Sequence, residues 1–274
     1  MKIPLPPALP IPHRQFISRM LEVIPHDDRI AGVAAAGSYL SGVMDEFSDL
    51  DLVIATMPDR HDDVMRDRHN IAGKLGELLA AFTGEHVGEP RLLICLYDAP
   101  LLHVDLKFVA LSDAHIRVEE PAVLWEREGK LSAALATGKG QYPQPDIEWI
   151  EARFWTWIHY GAGKIGRGEL FEAIDFIAYL RTTVLGPLAL SRAGARPQGV
   201  RRLEMHDRAF ADSLTETVSS YDAAACLRAL KACARLYLEL RQTIPAGTWN
   251  KRAEAAAISY LDEIEDRIQA RRLS

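Results

Sequence analysis

Cysteine is scarce: Cys95, Cys226 and Cys233 are the three in 274 residues. Three cannot build a disulfide framework, and without a CxxC pair a thiolate zinc site has no seed. Free buried thiols in a reducing compartment are therefore expected. No run of about 18 apolar residues, the least that spans a bilayer, occurs in the sequence. The proline-rich residues 1–13 (MKIPLPPALPIPH) lack the uninterrupted apolar stretch of a secretory signal. These absences make a cytoplasmic protein with no membrane partner the expectation. Positive charge is not in excess either. Against 38 Asp and Glu stand 32 Lys and Arg, a net charge of −6, whereas a protein that coats nucleic acid is expected to be basic. Internal repeats and low-complexity tracts are also missing.

What remains is an ordinary globular composition, 48% hydrophobic and 26% charged, on a chain long enough for two domains. Short apolar runs predict strands over residues 30–36 (IAGVAAA), 49–55 (DLDLVIA), 91–97 (RLLICLY), 101–109 (LLHVDLKFV) and 121–126 (PAVLWE). Asp98-Ala99-Pro100 turns the third of these into the fourth as a hairpin. Apolar residues at Val64, Ile71, Leu75, Leu78, Leu79 and Phe82 predict one helix over 62–82, stopped by Thr83-Gly84. The Gly- and Pro-rich residues 137–145 read as a linker. Beyond it, residues 147–160, 168–190, 222–242 and 252–272 carry helical spacing, with 243–248 separating the last two. The expected fold is α/β plus α: a small mixed-sheet domain over 1–140, then a helical bundle over 146–274. Residues 1–145 hold 14 basic and 21 acidic side chains, and residues 146–274 hold 18 and 17. The acidic excess belongs to the strand-containing half.

The chemistry concentrates in residues 37–54, GSYLSGVMDEFSDLDLVI. On a strand, Asp49 and Asp51 point to one face while Leu50, Leu52 and Ile54 point to the other. Two adjacent carboxylates repel unless a cation or proton relieves them. Hard oxygens at this spacing suit Mg²⁺, which keeps waters and completes its shell with substrate phosphates. Asp105 offers a third carboxylate, on a strand where His103, Asp105 and Lys107 alternate with Val104, Leu106 and Phe108. Gly37 permits close backbone approach to a ligand, and Ser38 adds a hydroxyl donor.

Gly-Ser, then Ser-Asp-Leu-Asp, then a later strand Asp resembles the DNA polymerase beta-type nucleotidyltransferase superfamily. Within it the chain is most similar to the aminoglycoside adenylyltransferase branch. The resemblance covers about residues 30–128, and less specifically the helical stretch 168–181. Leu40-Ser41 departs from the family pattern, in which many relatives carry a basic residue. The resemblance implies that Asp49, Asp51 and Asp105 hold Mg²⁺, and that Asp105 activates an acceptor hydroxyl. It implies ATP or another nucleoside triphosphate as donor, in contact with Gly37, Ser38, Ser48 and Lys107. The implied product is a nucleotidylated small molecule, hydroxylated and cationic like an aminoglycoside antibiotic. Rival readings are an AMP transferase that modifies protein, as in toxin–antitoxin pairs, and a non-catalytic nucleotide-binding regulator. The second is disfavoured by the presence of all three carboxylates. A nucleotide-adding polymerase is disfavoured by the acidic first half.

Other features carry less. Gly161–Gly166 (GAGKIG) matches a dinucleotide-binding pattern but follows helical residues rather than a strand, so a glycine-broken helix connection is expected. Lys164 and Arg167 are cationic candidates for a nucleotide. Glu85 and Glu89 could bind an acceptor amine. The five tryptophans are expected mainly in cores.

Overall fold

The computed structural model describes residues 5–6, 9–244 and 248–273. Pro245, Ala246 and Gly247, within the expected separator 243–248, lie outside the described residues. The chain forms two compact units, Met1–Tyr142 and Pro143–Ser274.

The first unit runs α1 (Ile11–Val23), β1 (Ile30–Ala35), α2 (Ser38–Ser41), β2 (Leu50–Thr56), α3 (His61–Gly73), β3 (Glu77–Gly84), β4 (Glu89–Asp98), β5 (Leu102–Ala110), β6 (Ala122–Glu126) and α4 (Lys130–Leu135). Its six strands form one sheet in the order β3-β4-β5-β2-β1-β6. β2 and β5 are parallel, and the other neighbours are antiparallel. The sheet is therefore mixed, as the sequence predicts. Leu50, Leu52 and Ile54 are buried on one face with Val104, Leu106 and Phe108. Phe16, Ile17 and Met20 of α1 and Val64, Ile71 and Ala72 of α3 belong to the same core. On the opposite face, Leu131 of α4 packs with Ala34 and Ala55. Gly32 makes room for it, since a Cβ there would lie 2.9 Å from the Leu131 side chain.

Two expectations for this unit are corrected. The helix predicted over 62–82 ends at Gly73, and Glu77–Gly84 is a strand. Gly73 and Gly76 interrupt the helix, and pairing with β4 overrides the helical spacing of Leu75, Leu78 and Phe82. The sheet thus has six strands where the sequence predicts five.

The second unit is helical: α5 (Ile147–Arg167), α6 (Leu170–Leu180), α7 (Gly186–Arg192), α8 (Leu203–His206), α9 (Arg208–Leu214), α10 (Ala223–Arg241) and α11 (Lys251–Leu273). A π-helical turn, Arg181–Leu185, joins α6 to α7 ahead of Pro187, which has no N–H for the helical ladder. Asp146 and Asp222 cap α5 and α10 by accepting from Trp149 N–H and Ala225 N–H. The predicted glycine break at 161–166 is absent, and α5 runs straight through it. The glycines instead let neighbours approach: a Cβ at Gly161 would meet Leu230 of α10 at 3.0 Å, and one at Gly166 would meet Ile264 of α11 at 2.9 Å. Leu170–Arg192 is the one described stretch long and apolar enough to cross a membrane by length and composition. Its Ala173, Ile177, Leu180, Val184 and Leu185 are built into the helical core. All three cysteines are buried free thiols, and burial pushes Cys95 and Cys233 up to about 12.

Candidate functional site

The site grows from the parallel pair β2 and β5. Their register sets Asp51 directly opposite Asp105 and Val53 opposite Lys107. Leu50 and Leu52 anchor β2 in the core, so the period of two forces Asp51 to the other face. Val104 and Leu106 do the same for Asp105. Asp49 lies one residue before β2 and acts electrostatically on Asp105. Burial raises the Asp105 carboxyl above the usual carboxylate range, His103 beside it pulls it back, and the charge of Asp49 adds to the rise. The His103 contact is direct, with Nε2 3.0 Å from Asp105 Oδ1.

Gly37 packs against Asp51. Its φ of +58° lies in the left-handed region, and a Cβ there would stand 1.9 Å from Asp51 Oδ2. Only glycine fits both demands. Ser38 follows, and its Oγ is buried with no hydrogen-bond partner among the described residues. A buried hydroxyl without a partner costs free energy unless a ligand satisfies it.

Ser48 sits in a local turn. Its hydroxyl donates to Asp45 Oδ1 at 2.9 Å and accepts from Asp45 N–H at 3.1 Å, which closes a turn just before Asp49. Its carbonyl accepts from His13 Nε2 at 2.6 Å. Lys107 shares the carboxylate face, with its ammonium 2.7 Å from Glu89 Oε2. Glu89 also pairs with Arg91, and the two cations hold its carboxyl down at about 2. Glu85 is an exposed carboxylate that accepts from the Thr83 hydroxyl. Lys164 and Arg167 pair with Glu169 in the second unit.

A pocket of about 240 Å³ opens on this face of the sheet. Asp51, Asp105, Glu89 and Lys107 line it, together with apolar side chains such as Val53 and Leu131. Residues of the connection 111–121 line it too, including Ile116, Arg117 and Glu119. Glu119 Oε1 accepts from Gly37 N–H at 2.9 Å.

Among the described residues, no three of His, Cys, Asp and Glu close on a point as a ready metal cage. The donor set nonetheless suits Mg²⁺, which takes one or two protein carboxylates and fills its octahedron with waters and substrate phosphates. Asp51 and Asp105 supply two carboxylates side by side on adjacent strands, and the Ser38 hydroxyl beside Gly37 has no partner among the described residues.

Sequence reasoning brought Asp49, Asp51 and Asp105 to one face; the structure sets Asp51 beside Asp105 in the pocket, with Asp49 just ahead of β2 and close enough to act electrostatically on Asp105. It missed His13 and Glu119. His13 falls in step with Phe16, Ile17 and Met20 on the apolar stripe of α1, a position where a polar residue signals a buried partner. Glu119 sits in irregular chain and offered no such signal.

Comparison with family models finds no match. Comparison with curated proteins finds none either. Among solved structures, the chain is similar to an aminoglycoside 6-adenyltransferase from Bacillus subtilis, at 13% identity and a TM-score of 0.37, covering 95% of this chain and 98% of that one. It is also similar to a nucleotidyltransferase-like protein from Exiguobacterium sibiricum, at 16% identity and a TM-score of 0.37, covering 82% and 74%. Likeness at that level carries no functional weight, so function rests on the geometry of this chain's own residues.

Proposed function

We propose that this chain is a nucleotidyltransferase that moves a nucleoside monophosphate, most simply AMP from ATP, to a hydroxyl of a small molecule. One observation carries the reading. Asp51 and Asp105 face each other on parallel strands, under a glycine whose missing side chain leaves room for the Asp51 carboxylate.

Asp49, Asp51 and Asp105 are the residues that would hold Mg²⁺. When bound, the ion neutralises charge on the donor's phosphates and orients them. Gly37 N–H and Ser38 Oγ would donate to phosphate oxygens, which gives the buried hydroxyl the acceptor it lacks. Lys107 adds a cation on the same face. Ser48 contributes through its backbone, which His13 fixes. Asp105 accepts the proton of the acceptor hydroxyl as that oxygen attacks the α-phosphorus and pyrophosphate leaves. His103 orients Asp105 through Oδ1. Carboxylates outnumber cations among the charged side chains of the pocket, which favours a hydroxylated, cationic acceptor such as an aminoglycoside-like amine.

Pyrophosphate release with ATP and Mg²⁺, measured against a panel of hydroxylated amines and antibiotics, tests the reading. Acceptor-dependent release is expected, and replacing ATP by GTP, CTP or UTP identifies the donor. Folded protein that releases no pyrophosphate with any acceptor would overturn it. Labelled AMP found on a polypeptide would transfer the activity to protein modification.

A further inference from the structure

The pocket beside Asp51 and Asp105 changes character along its length. The parallel register pairs Asp51 with Asp105, Val53 with Lys107 and Ala55 with Val109. These six side chains share one face of the sheet, because alternate residues of a strand point the same way. Two residues along a strand cover about 7 Å and four about 13 Å, so carboxylates give way to valine and alanine within the length of a small molecule. Lys107 stands at the change, and its ammonium is engaged by Glu89 at 2.7 Å. Past it the lining turns apolar: Val53, Val109, Ile116, Leu131 and Leu135 face the same space. Ala34, Ala55, Ala114 and Leu131 form a small core at this end of the face. Gly37, where the proposed reaction puts a phosphate, lies in the other direction. It follows β1, which sets Ala34 opposite Val53 and Ala35 opposite Leu52, and Ala36 N–H donates to the Asp51 carbonyl at 2.9 Å. Phosphate turn, carboxylate pair and apolar chamber thus follow one another along β2.

We infer that the apolar chamber receives a ring of the acceptor, so that the acceptor is an amino alcohol with an apolar ring carried close to its reacting hydroxyl. The inference rests on the nucleotidyltransferase reading and names the acceptor class within it. The hydroxyl and the amine of that reading stay, and the ring is added. The order along β2 decides which substrate enters. In phosphoryl transfer the attacking and leaving oxygens lie roughly in line. Pyrophosphate leaves on the Gly37 and Ser38 side, so the acceptor comes from the opposite side, past Asp105 and over Val53. A hydroxyl or ammonium pushed against Val109, Leu131 and Leu135 would lose its water without finding a partner, which costs free energy. An apolar ring gains from the same surface. The space suffices: a cavity of about 150 Å³ already holds benzene, and the pocket of about 240 Å³ holds a ring together with the carbons that link it to the hydroxyl.

The test is equilibrium binding of two matched amino alcohols to the full chain, followed by ligand-observed NMR in the presence of Mg²⁺. Phenylethanolamine and isopropanolamine share the hydroxyl and the amine and differ by phenyl against methyl. Each is titrated with and without a saturating non-hydrolysable ATP analogue. Phenylethanolamine is expected to bind at least about tenfold more tightly, since even one methylene in an apolar pocket is worth that factor, and the preference is expected to survive the analogue. Val53→Thr keeps the volume and adds a hydroxyl to the chamber wall. With its melting temperature checked, it is expected to reduce the phenyl preference several-fold and to leave affinity for the analogue unchanged. Equal binding of the two amino alcohols by wild type would overturn the inference alone. Loss of the preference once the analogue is bound would also overturn it, because the chamber would then hold the base of the donor. A folded Val53→Thr protein with the full preference would place the ring elsewhere and overturn it too. Failure of wild type to bind the analogue, together with no pyrophosphate release for any acceptor of the panel, would overturn the nucleotidyltransferase reading and the inference with it.

Discussion

At position 37 an alanine methyl would have to occupy the space of Asp51 Oδ2, on a backbone that side chains rarely adopt. Gly37→Ala therefore acts on Asp51 as much as on the turn. It is expected to lower pyrophosphate release at least about 10²-fold, the cost of displacing a catalytic group by an ångström, while the melting temperature falls by a few degrees. Glu89 gives a pH signature for the same face. Its folded-state carboxyl lies at about 2, below the ordinary 4.5, because Arg91 and Lys107 hold it charged. The stability it contributes is complete above pH 4.5 and is lost as pH falls toward 2. Acid unfolding followed by circular dichroism is expected to be shallower across that window in Glu89→Gln than in wild type. The pairing of Asp51 with Asp105 was legible in the sequence because strand alternation ties each of these carboxylates to apolar neighbours of opposite facing. The Ser48 hydroxyl engages Asp45, three residues back, in a local turn that strand alternation does not reveal. Glu119 was illegible because nothing periodic connects it to Gly37.

At the scale of elements, β1, β2, β4, β5 and β6 were readable from short apolar runs. β3 was not, because Glu-Leu-Leu-Ala-Ala-Phe favours helix locally and becomes a strand only by pairing with β4. The glycines of α5 were misread for the converse reason: their role is set by helices distant in sequence. Gly161→Val is expected to force Leu230 aside and cost about 1–3 kcal/mol in a urea melt. Gly163→Ala, with no other atom closer than 3.9 Å to the added methyl, is expected to stabilise α5 by about 0.5–1 kcal/mol. Equal effects at the two positions would contradict the packing account. The second unit also buries a charge network. Glu151 accepts from Tyr237 Oη, Arg241 Nη1, Trp155 Nε1 and Asn250 N–H, which joins α5, α10 and the start of α11. Glu151→Ala strands Arg241, whose remaining carboxylate partner is Glu254. A loss of about 3–5 kcal/mol is expected, read from denaturant unfolding.

At the scale of the whole molecule, short apolar runs in the first half and helical spacing in the second anticipated a sheet-containing half followed by a helical one, and the fold has that form. Four of the 21 acidic side chains of residues 1–145, Asp51, Glu89, Asp105 and Glu119, line one pocket in the first unit. Asp51 and Asp105 lie on the face opposite the core formed by α1 and α3, so the core and the proposed chemistry use alternate residues of the same strands. That separation makes the central claim testable without unfolding the protein. The most direct measurement is pyrophosphate release by wild type, Asp51→Asn and Asp105→Asn at equal folded concentration, with ATP, Mg²⁺ and the best acceptor from the panel. Loss of at least about 10²–10⁴ in rate is expected in each variant, with melting temperatures at or above wild type because a repelling charge has been removed. Turnover at the wild-type rate in either folded variant would contradict the account.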